Sequence, residues 1–167
     1  LGRIDDPQKG VELLLLRNTQ EAEKMANELN LNNTERQKIE RTMSIEVEGM
    51  MTDAENLQNN RALFLTSETW HPGVIAIIST RLSKQYNRPA VLIAIEGNLG
   101  KGSLRSIQQF PLIPALKECK DLLQNFGGHD LAAGLTIDVK NIPEFKKRFL
   151  EMANKALKAE DVMNKLY

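Results

Sequence analysis

The sequence is poor in the residues from which disulfides and metal sites are built. Its 167 residues include one cysteine, Cys119, and two histidines, His71 and His129. One cysteine forms no internal disulfide, and the common zinc sites need four Cys or His ligands. A disulfide-stapled secreted module and a common zinc site are therefore excluded. We expect a cytoplasmic protein in which Cys119 is buried and unreactive.

Long apolar runs and nucleophile motifs are also absent. No run approaches the roughly 20 apolar residues that span a bilayer, so no membrane segment is predicted. The N-terminus has neither Met nor an apolar signal core, which favours a cut inside a longer chain. The motif Gly-x-Ser-x-Gly does not occur. With 41% hydrophobic and 26% charged residues, the composition is that of an ordinary globular domain.

The net charge is zero, but the two signs are unevenly distributed along the chain. Residues 1–60 carry seven basic and twelve acidic side chains, whereas residues 61–110 carry six basic and two acidic ones. The middle of the chain is therefore locally basic, as an anionic ligand would require.

The first third of the chain is predicted to be helical. The leucine run 13–16 fits a short buried helix, and a second helix should end at the Asn-rich stretch 30–33. Thr34 and Gln37 match a capping box that would start a third helix. Apolar residues at spacings of three or four then predict one core stripe on a helix of about six turns. They are Ile39, Met43, Val47, Met50, Ala54 and Leu57.

From residue 61 onward the pattern changes to strands and helices in alternation. Apolar runs without alternation predict strands covered on both faces. The predicted strands are 62–66, 89–95, 101–107 and 131–139, and the predicted helices are 73–86, 111–123 and 143–156. The expected fold is α/β: a mixed β-sheet domain flanked by helices, preceded by a helical arm with one long connector helix.

The first of three glycine-containing motifs is Trp70-His71-Pro72-Gly73, directly before a predicted helix. Free N–H groups at a helix N-terminus bind anions, and a neighbouring histidine can add a donor. The alternative is that Pro72 and Gly73 only turn the chain while His71 caps locally.

The second motif is Gly100-Lys101-Gly102-Ser103-Leu104-Arg105-Ser106. On a strand, Lys101, Ser103 and Arg105 project from one face and form a row of donors suited to phosphates. A nucleotide P-loop is excluded, because Ile95 and Gly102 occupy the positions where that motif needs Gly and Ser or Thr. A solvated hairpin strand is the alternative.

The third motif is Phe126-Gly127-Gly128-His129, followed by Ala132-Ala133-Gly134. Paired glycines let the backbone approach a ligand closely, and His129 could donate to a phosphate oxygen. A tight turn with a histidine satisfied in the core is the alternative.

Taken together, the order and spacing of these motifs closely resemble RecJ-type single-stranded-DNA-specific exonucleases of the DHH/DHHA1 phosphoesterase superfamily. The resemblance implies the tail of a catalytic DHH domain at 1–33, a connector helix at 34–58, a DHHA1 nucleic-acid-binding domain at 59–156 and a lead-in to a following domain at 157–167. In this family the DHH domain holds two divalent metals, Mn²⁺ or Mg²⁺, whose ligands would precede this chain. The chain alone is therefore expected to be inactive.

The resemblance also implies roles for individual residues in a 5′-to-3′ exonuclease of DNA repair and recombination. Phosphate contacts of single-stranded DNA would come from Lys101, Ser103, Arg105 and Ser106. Gly127, Gly128 and His129 would face the cleft near the phosphate being cleaved, with His129 assisting catalysis, and His71 and Gly73 would line the same groove. Asp130 and Leu131 stand where the family often carries a basic residue and Met. The remaining partner would be the DHH domain of the same polypeptide, with no membrane.

Two other functions are compatible with the sequence. Related phosphoesterases of this superfamily degrade oligoribonucleotides or cyclic dinucleotides. Alternatively, the chain could be a non-enzymatic module that binds partners through the apolar stripe at 34–57. Trp70 and Tyr86 are the only plausible stacking platforms for bases, so gripping of the backbone is favoured over base readout.

Overall fold

The computed structural model describes residues 6–52 and 59–162. They form five strands and five α-helices, with two short 3-10 turns at Val139–Asn141 and Ala159–Val162. The helices are α1 Gln8–Leu15, α2 Thr19–Thr52, α3 Ile75–Tyr86, α4 Leu112–Glu118 and α5 Ile142–Ala156. The strands are β1 Leu63–Ser67, β2 Ala90–Glu96, β3 Leu99–Arg105, β4 Leu123–His129 and β5 Ala132–Asp138.

The sheet is mixed, as predicted, with strand order β1-β2-β3-β5-β4. β1 and β2 are parallel because α3 connects them as a crossover helix, and the other three pairs are antiparallel. β3 pairs back on β2 through a turn at Gly97, whose φ of +60° suits glycine.

One side of the sheet is covered by α4 and α5. Its centre is a cluster of four phenylalanines whose neighbouring ring centroids lie 5.5 to 6.4 Å apart: Phe64, Phe110, Phe145 and Phe149. The even-numbered residues of β3 face this side, and Leu104 is buried there. This core extends over β5, where Ala133, Leu135 and Ile137 are buried.

The other side of the sheet is covered by α3 and the C-terminal half of α2. Met43, Val47 and Met51 of α2 pack against buried residues of α3, β1 and β2. The Glu46 carboxylate accepts hydrogen bonds from the hydroxyls of Ser67 and Thr69, which adds a polar tie between α2 and the end of β1. The described part of the apolar stripe therefore packs against the core of the same chain, which contradicts the alternative that the stripe docks partners. Two of its members, Ala54 and Leu57, lie outside the described residues.

The predicted helix break at 30–33 is wrong. α2 runs without interruption from Thr19 to Thr52, and the Thr34 hydroxyl donates to the Asn30 carbonyl four residues earlier. That bond is typical of a helix interior, so Thr34 is no N-cap. The stretch contains neither Gly nor Pro, and asparagine costs a helix only a fraction of a kcal/mol, roughly 0.7 at most. The leucine run 13–16 is helical only to Leu15, and Leu14 and Leu15 are exposed, contrary to the expected burial.

The helix predicted at 111–123 is too long, and one strand was missed. α4 ends at Glu118, Cys119 follows it, and residues 123–129 form β4 at the edge of the sheet. An edge strand pairs on one side only, so it tolerates glycines with low strand propensity. Phe126-Gly127-Gly128-His129 is therefore part of a strand and no loop.

Candidate nucleic-acid interface

Three strands present their side chains in rows across the face that α3 covers only in part. The pairing register places Lys101, Thr136 and Asn125 in one row, Ser103, Gly134 and Gly127 in the next, and Arg105, Ala132 and His129 in a third. Helix α3 lies over β2 and β3, whereas Gly134, Gly127 and His129 are exposed. We call the exposed part of these three rows the open face.

Lys101 and Arg105 supply the positive charge of the open face, as the alternation on β3 predicts. Four residues of strand separate them by about 13 Å along β3. The Lys101 ammonium lies 3.1 Å from the Glu96 carboxylate, and both side chains are about half exposed. The Arg105 guanidinium donates to the carbonyl of Leu104 at 2.8 Å and approaches the Ser103 hydroxyl at 3.5 Å.

The two serines of the same motif are placed less favourably for phosphate binding. Ser103 is only 7% exposed and its hydroxyl lies 3.3 Å from that of Ser79 on α3. The Ser106 hydroxyl donates its proton to the Phe110 carbonyl at 2.6 Å and holds the loop after β3. A hydroxyl has one proton to donate, so in this geometry Ser106 has none for a phosphate.

The glycines of the second motif serve packing on the other side of the sheet. A Cβ on Gly100 would lie 2.7 Å from Ile93 Cγ2, and one on Gly102 would lie 2.7 Å from Leu135 Cδ1. Larger residues would displace core side chains, so these glycines let the strands carry bulky neighbours. Lys101 between them points to the opposite side.

The glycines of the third motif divide into two kinds. Gly128 has a φ of +137°, and a Cβ there would lie 2.4 Å from the Ala132 carbonyl oxygen, so the fold itself requires glycine. A Cβ on Gly127 would meet nothing within 4 Å, and one on Gly134 only the Gly102 carbonyl oxygen at 3.7 Å. Gly127 and Gly134 are adjacent in the middle row and leave the floor of the open face flat.

His129 ends β4 and is exposed at the corner of the open face. It pairs with Ala132 across a two-residue turn, Asp130-Leu131. The carbonyls of both turn residues accept backbone hydrogen bonds, from Leu112 and Ser106 respectively. These bonds fix the turn, and through it the backbone from which His129 projects.

His71 and Gly73 precede α3, but the backbone N–H groups of Gly73, Val74 and Ile75 are used locally. The His71 ring nitrogen Nδ1 accepts from the Gly73 amide at 3.0 Å, and the His71 carbonyl accepts from the amides of Val74 and Ile75. These three amides are thus occupied, as in the capping alternative. By topology His71 lies at the end of the sheet where Lys101 is, because α3 begins after β1.

Two residues of the open face were missed by sequence reasoning. Thr136 and Asn125 share the row of Lys101, and with Gly127 and Gly134 they border a depression of about 390 Å³. Thr136 could have been found from the alternation that follows Gly134 on its strand. Asn125 could not, because it lies between the helix predicted at 111–123 and the third motif, where no strand is predicted. Trp70 is buried in the core, so it offers no stacking surface.

The comparison with known protein families decides the assignment. The sequence profile of the DHHA1 domain matches residues 59–159. The chain belongs to the DHHA1 domain family. The single-stranded-DNA-specific exonuclease RecJ of Bacillus subtilis is 37% identical over 163 residues, which cover 96% of this chain and 20% of that protein. The DHHA1 chain thus spans about a fifth of this relative's length.

The chain is also similar in structure to solved RecJ proteins. The crystal structure of RecJ from Thermus thermophilus with Mg²⁺ has 32% identity and a TM-score of 0.80, and it covers 92% of the DHHA1 chain and 23% of its own. A crystal structure of exonuclease RecJ bound to manganese has 33% identity and a TM-score of 0.81 over 92% of the DHHA1 chain and 37% of its own. The resemblance found from the motifs, and the mixed sheet with its long helix, are confirmed.

The described residues do not fit a metal site. Within residues 6–52 and 59–162 no three His, Cys, Asp or Glu side chains are grouped so that they could hold an ion. Cys119 is fully buried, and burial raises the pKa of its thiol to about 11. No described helix is long and apolar enough to cross a membrane.

Proposed function

We propose that the chain is the substrate-binding DHHA1 part of a RecJ-like exonuclease that acts on single-stranded DNA from the 5′ end. Its open face grips the phosphate backbone while a DHH domain of the same polypeptide hydrolyses phosphodiester bonds with Mn²⁺ or Mg²⁺. The names of the similar proteins support the substrate, since they are single-stranded-DNA-specific exonucleases. The DHHA1 domain at 59–156 is part of this proposal, and the connector that precedes it is α2, which begins at Thr19 and not at 34.

The observation that carries the proposal is the convergence of separate segments on one open sheet face. Lys101 and Arg105 come from β3, Gly134 from β5, and Gly127 and His129 from β4. Lys101 and Arg105 lie beside Gly134 and Gly127, which have no Cβ atoms. Phosphates of a DNA strand can therefore approach both the cationic side chains and the protein backbone. Two cationic side chains beside exposed glycines favour binding of the phosphate backbone over stacking of the bases. Binding through the backbone is suited to a nuclease that acts on any sequence.

Each site residue then has a specific role. Lys101 and Arg105 bind phosphates, with Ser103 supporting the Arg105 guanidinium from below. Gly127 keeps the floor flat, and Gly128 allows the β4 backbone conformation on which the floor depends. His129 stands at the corner of the open face and assists at the phosphate being cleaved. His71 and Gly73 border the open face at the end where Lys101 lies.

The test uses the longer polypeptide proposed here, in which the DHH domain precedes the chain. Arg105→Ala should weaken single-stranded DNA binding and lower the slope of log affinity against log salt by about 0.7, because one phosphate contact is lost. Lys147→Ala is the matched control, since Lys147 is exposed on α5, which packs on the other side of the sheet. Unchanged affinity and slope in Arg105→Ala would contradict the phosphate role.

The same polypeptide separates the proposed substrate from the related ones. It should degrade long single-stranded DNA faster than short oligoribonucleotides or cyclic dinucleotides. A preference for dinucleotides would replace the exonuclease proposal by the other activity of the superfamily.

A further inference from the structure

We infer that the depression beside Thr136 and Asn125 binds the nucleobase of the nucleotide whose phosphate Arg105 holds. This inference rests on the proposed function and adds a second subsite to it. Three features of the open face support it: the distribution of charge along β3, the donors and acceptors in the depression, and the size of the depression.

Charge divides the open face along β3. Arg105 lies in the third row, whereas the carboxylates of Glu96 and Asp138 lie next to the first row. Glu96 lies 3.1 Å from the Lys101 ammonium, and Asp138 occupies the next position of the same face beyond Thr136. These two carboxylates lower the positive potential at the Thr136 end of the open face. A nucleotide would place its charged group at Arg105 and its neutral part at the first row.

The first row contains Lys101, which also borders the depression and is paired with Glu96, and its other two polar groups are neutral. Asn125 and Thr136 face the depression, and within the described residues neither side chain has a hydrogen-bond partner. By contrast, the neighbouring Gln124 amide donates to Asp138 at 2.8 Å and is thus engaged. An amide and a hydroxyl offer donors and acceptors without charge, which the edge of a base requires.

These groups also explain how base contact is compatible with indifference to sequence. The Asn125 amide presents its oxygen or its nitrogen after a half-turn, and the Thr136 hydroxyl donates or accepts as needed. Every base edge can therefore be matched. Gly127 and Gly134 leave the floor open to a planar ring, and the volume of about 390 Å³ is at the lower end of ligand sites.

The experiment measures binding of two strands of equal length by the DHH-containing polypeptide, one of normal DNA and one with abasic sugars throughout. Asn125→Ala and Thr136→Val should each weaken binding of normal DNA about two- to tenfold, as expected for a lost hydrogen bond. The salt slope should stay unchanged because no phosphate contact is removed. On the abasic strand the same variants should bind like the unaltered protein.

Control variants separate the subsite from folding. Thr136→Ser keeps the hydroxyl and should retain binding, and Asn33→Ala on the exposed part of α2 should have no effect. An equal loss on the abasic strand, or a changed salt slope, would overturn the base contact. Normal binding by both variants while Arg105→Ala still weakens it would also overturn it and leave the proposed function intact. If Arg105→Ala has no effect, the proposed function itself fails.

Discussion

The Lys101 ammonium on β3 forms an ion pair with the Glu96 carboxylate at the end of β2, at 3.1 Å. The two residues flank the turn at Gly97, so the pair belongs to the hairpin. A bound phosphate would have to compete with Glu96 for the lysine. The hairpin thus weakens one of the two cationic groups on which the proposed interface depends.

Glu96→Gln should therefore tighten binding of single-stranded DNA. An exposed ion pair is worth at most about 1 kcal/mol, so the gain should be roughly two- to fivefold at low salt and smaller at high salt. Fluorescence anisotropy with a labelled oligonucleotide measures it. Glu151→Gln, an exposed charge on α5, serves as the control for net charge. Equal affinities of Glu96→Gln and the unaltered protein would show that Lys101 is already available.

Alanine substitution should affect stability at one of the two adjacent glycines of β4 and DNA binding at the other. Gly128→Ala should lower the free energy of unfolding by about 1–3 kcal/mol, because of its positive φ and the carbonyl oxygen 2.4 Å from the new Cβ. Gly127→Ala should leave stability nearly unchanged, since its Cβ meets nothing within 4 Å, but should weaken DNA binding. Urea unfolding and anisotropy distinguish the two. Loss of stability in both variants would mean that Gly127 serves the fold as well.

The contact between α2 and the sheet can be tested with two apolar residues of one helix. Met43 is 2% exposed against the core, whereas Ile45 is 72% exposed. Met43→Ala should cost about 2–5 kcal/mol of stability through lost burial and the cavity left behind. Ile45→Ala should change stability by less than about 0.5 kcal/mol, as surface substitutions usually do. Similar losses for both, measured by urea unfolding, would mean that Ile45 is covered in solution.

Stability should fall at alkaline pH through Cys119. Burial raises the pKa of this thiol from 9.0 to about 11, so between these values the unfolded chain has lost a proton that the folded chain keeps. The free energy of unfolding therefore decreases as the pH rises from 9 towards 11. Cys119→Ser lacks this titration and should show a smaller decrease. Rapid labelling of folded Cys119 by a thiol reagent at pH 8 would contradict its burial.

Much of the fold and site could be predicted from local pattern. Buried strands such as β2 and the crossover helix α3 are indicated by continuous or helically spaced apolar residues. The odd positions of β3 place Lys101 and Arg105 on one face without any knowledge of the partner strand. The missed edge strand β4 shows the limit, because Leu123–His129 owes its conformation to pairing with β5 and hardly to its own propensities.

The sequence by itself determined the family, the mixed sheet and the basic character of β3, because these depend on motifs and on the spacing of residues close in the chain. Only the tertiary structure decided which residues share a row with Lys101, and that α3 covers Ser103. It also decided that Gly128 serves the fold while Gly127 leaves open space. The physical reason is that pairing register and helix coverage arise from contacts between segments that lie far apart in the chain, which local patterns do not encode.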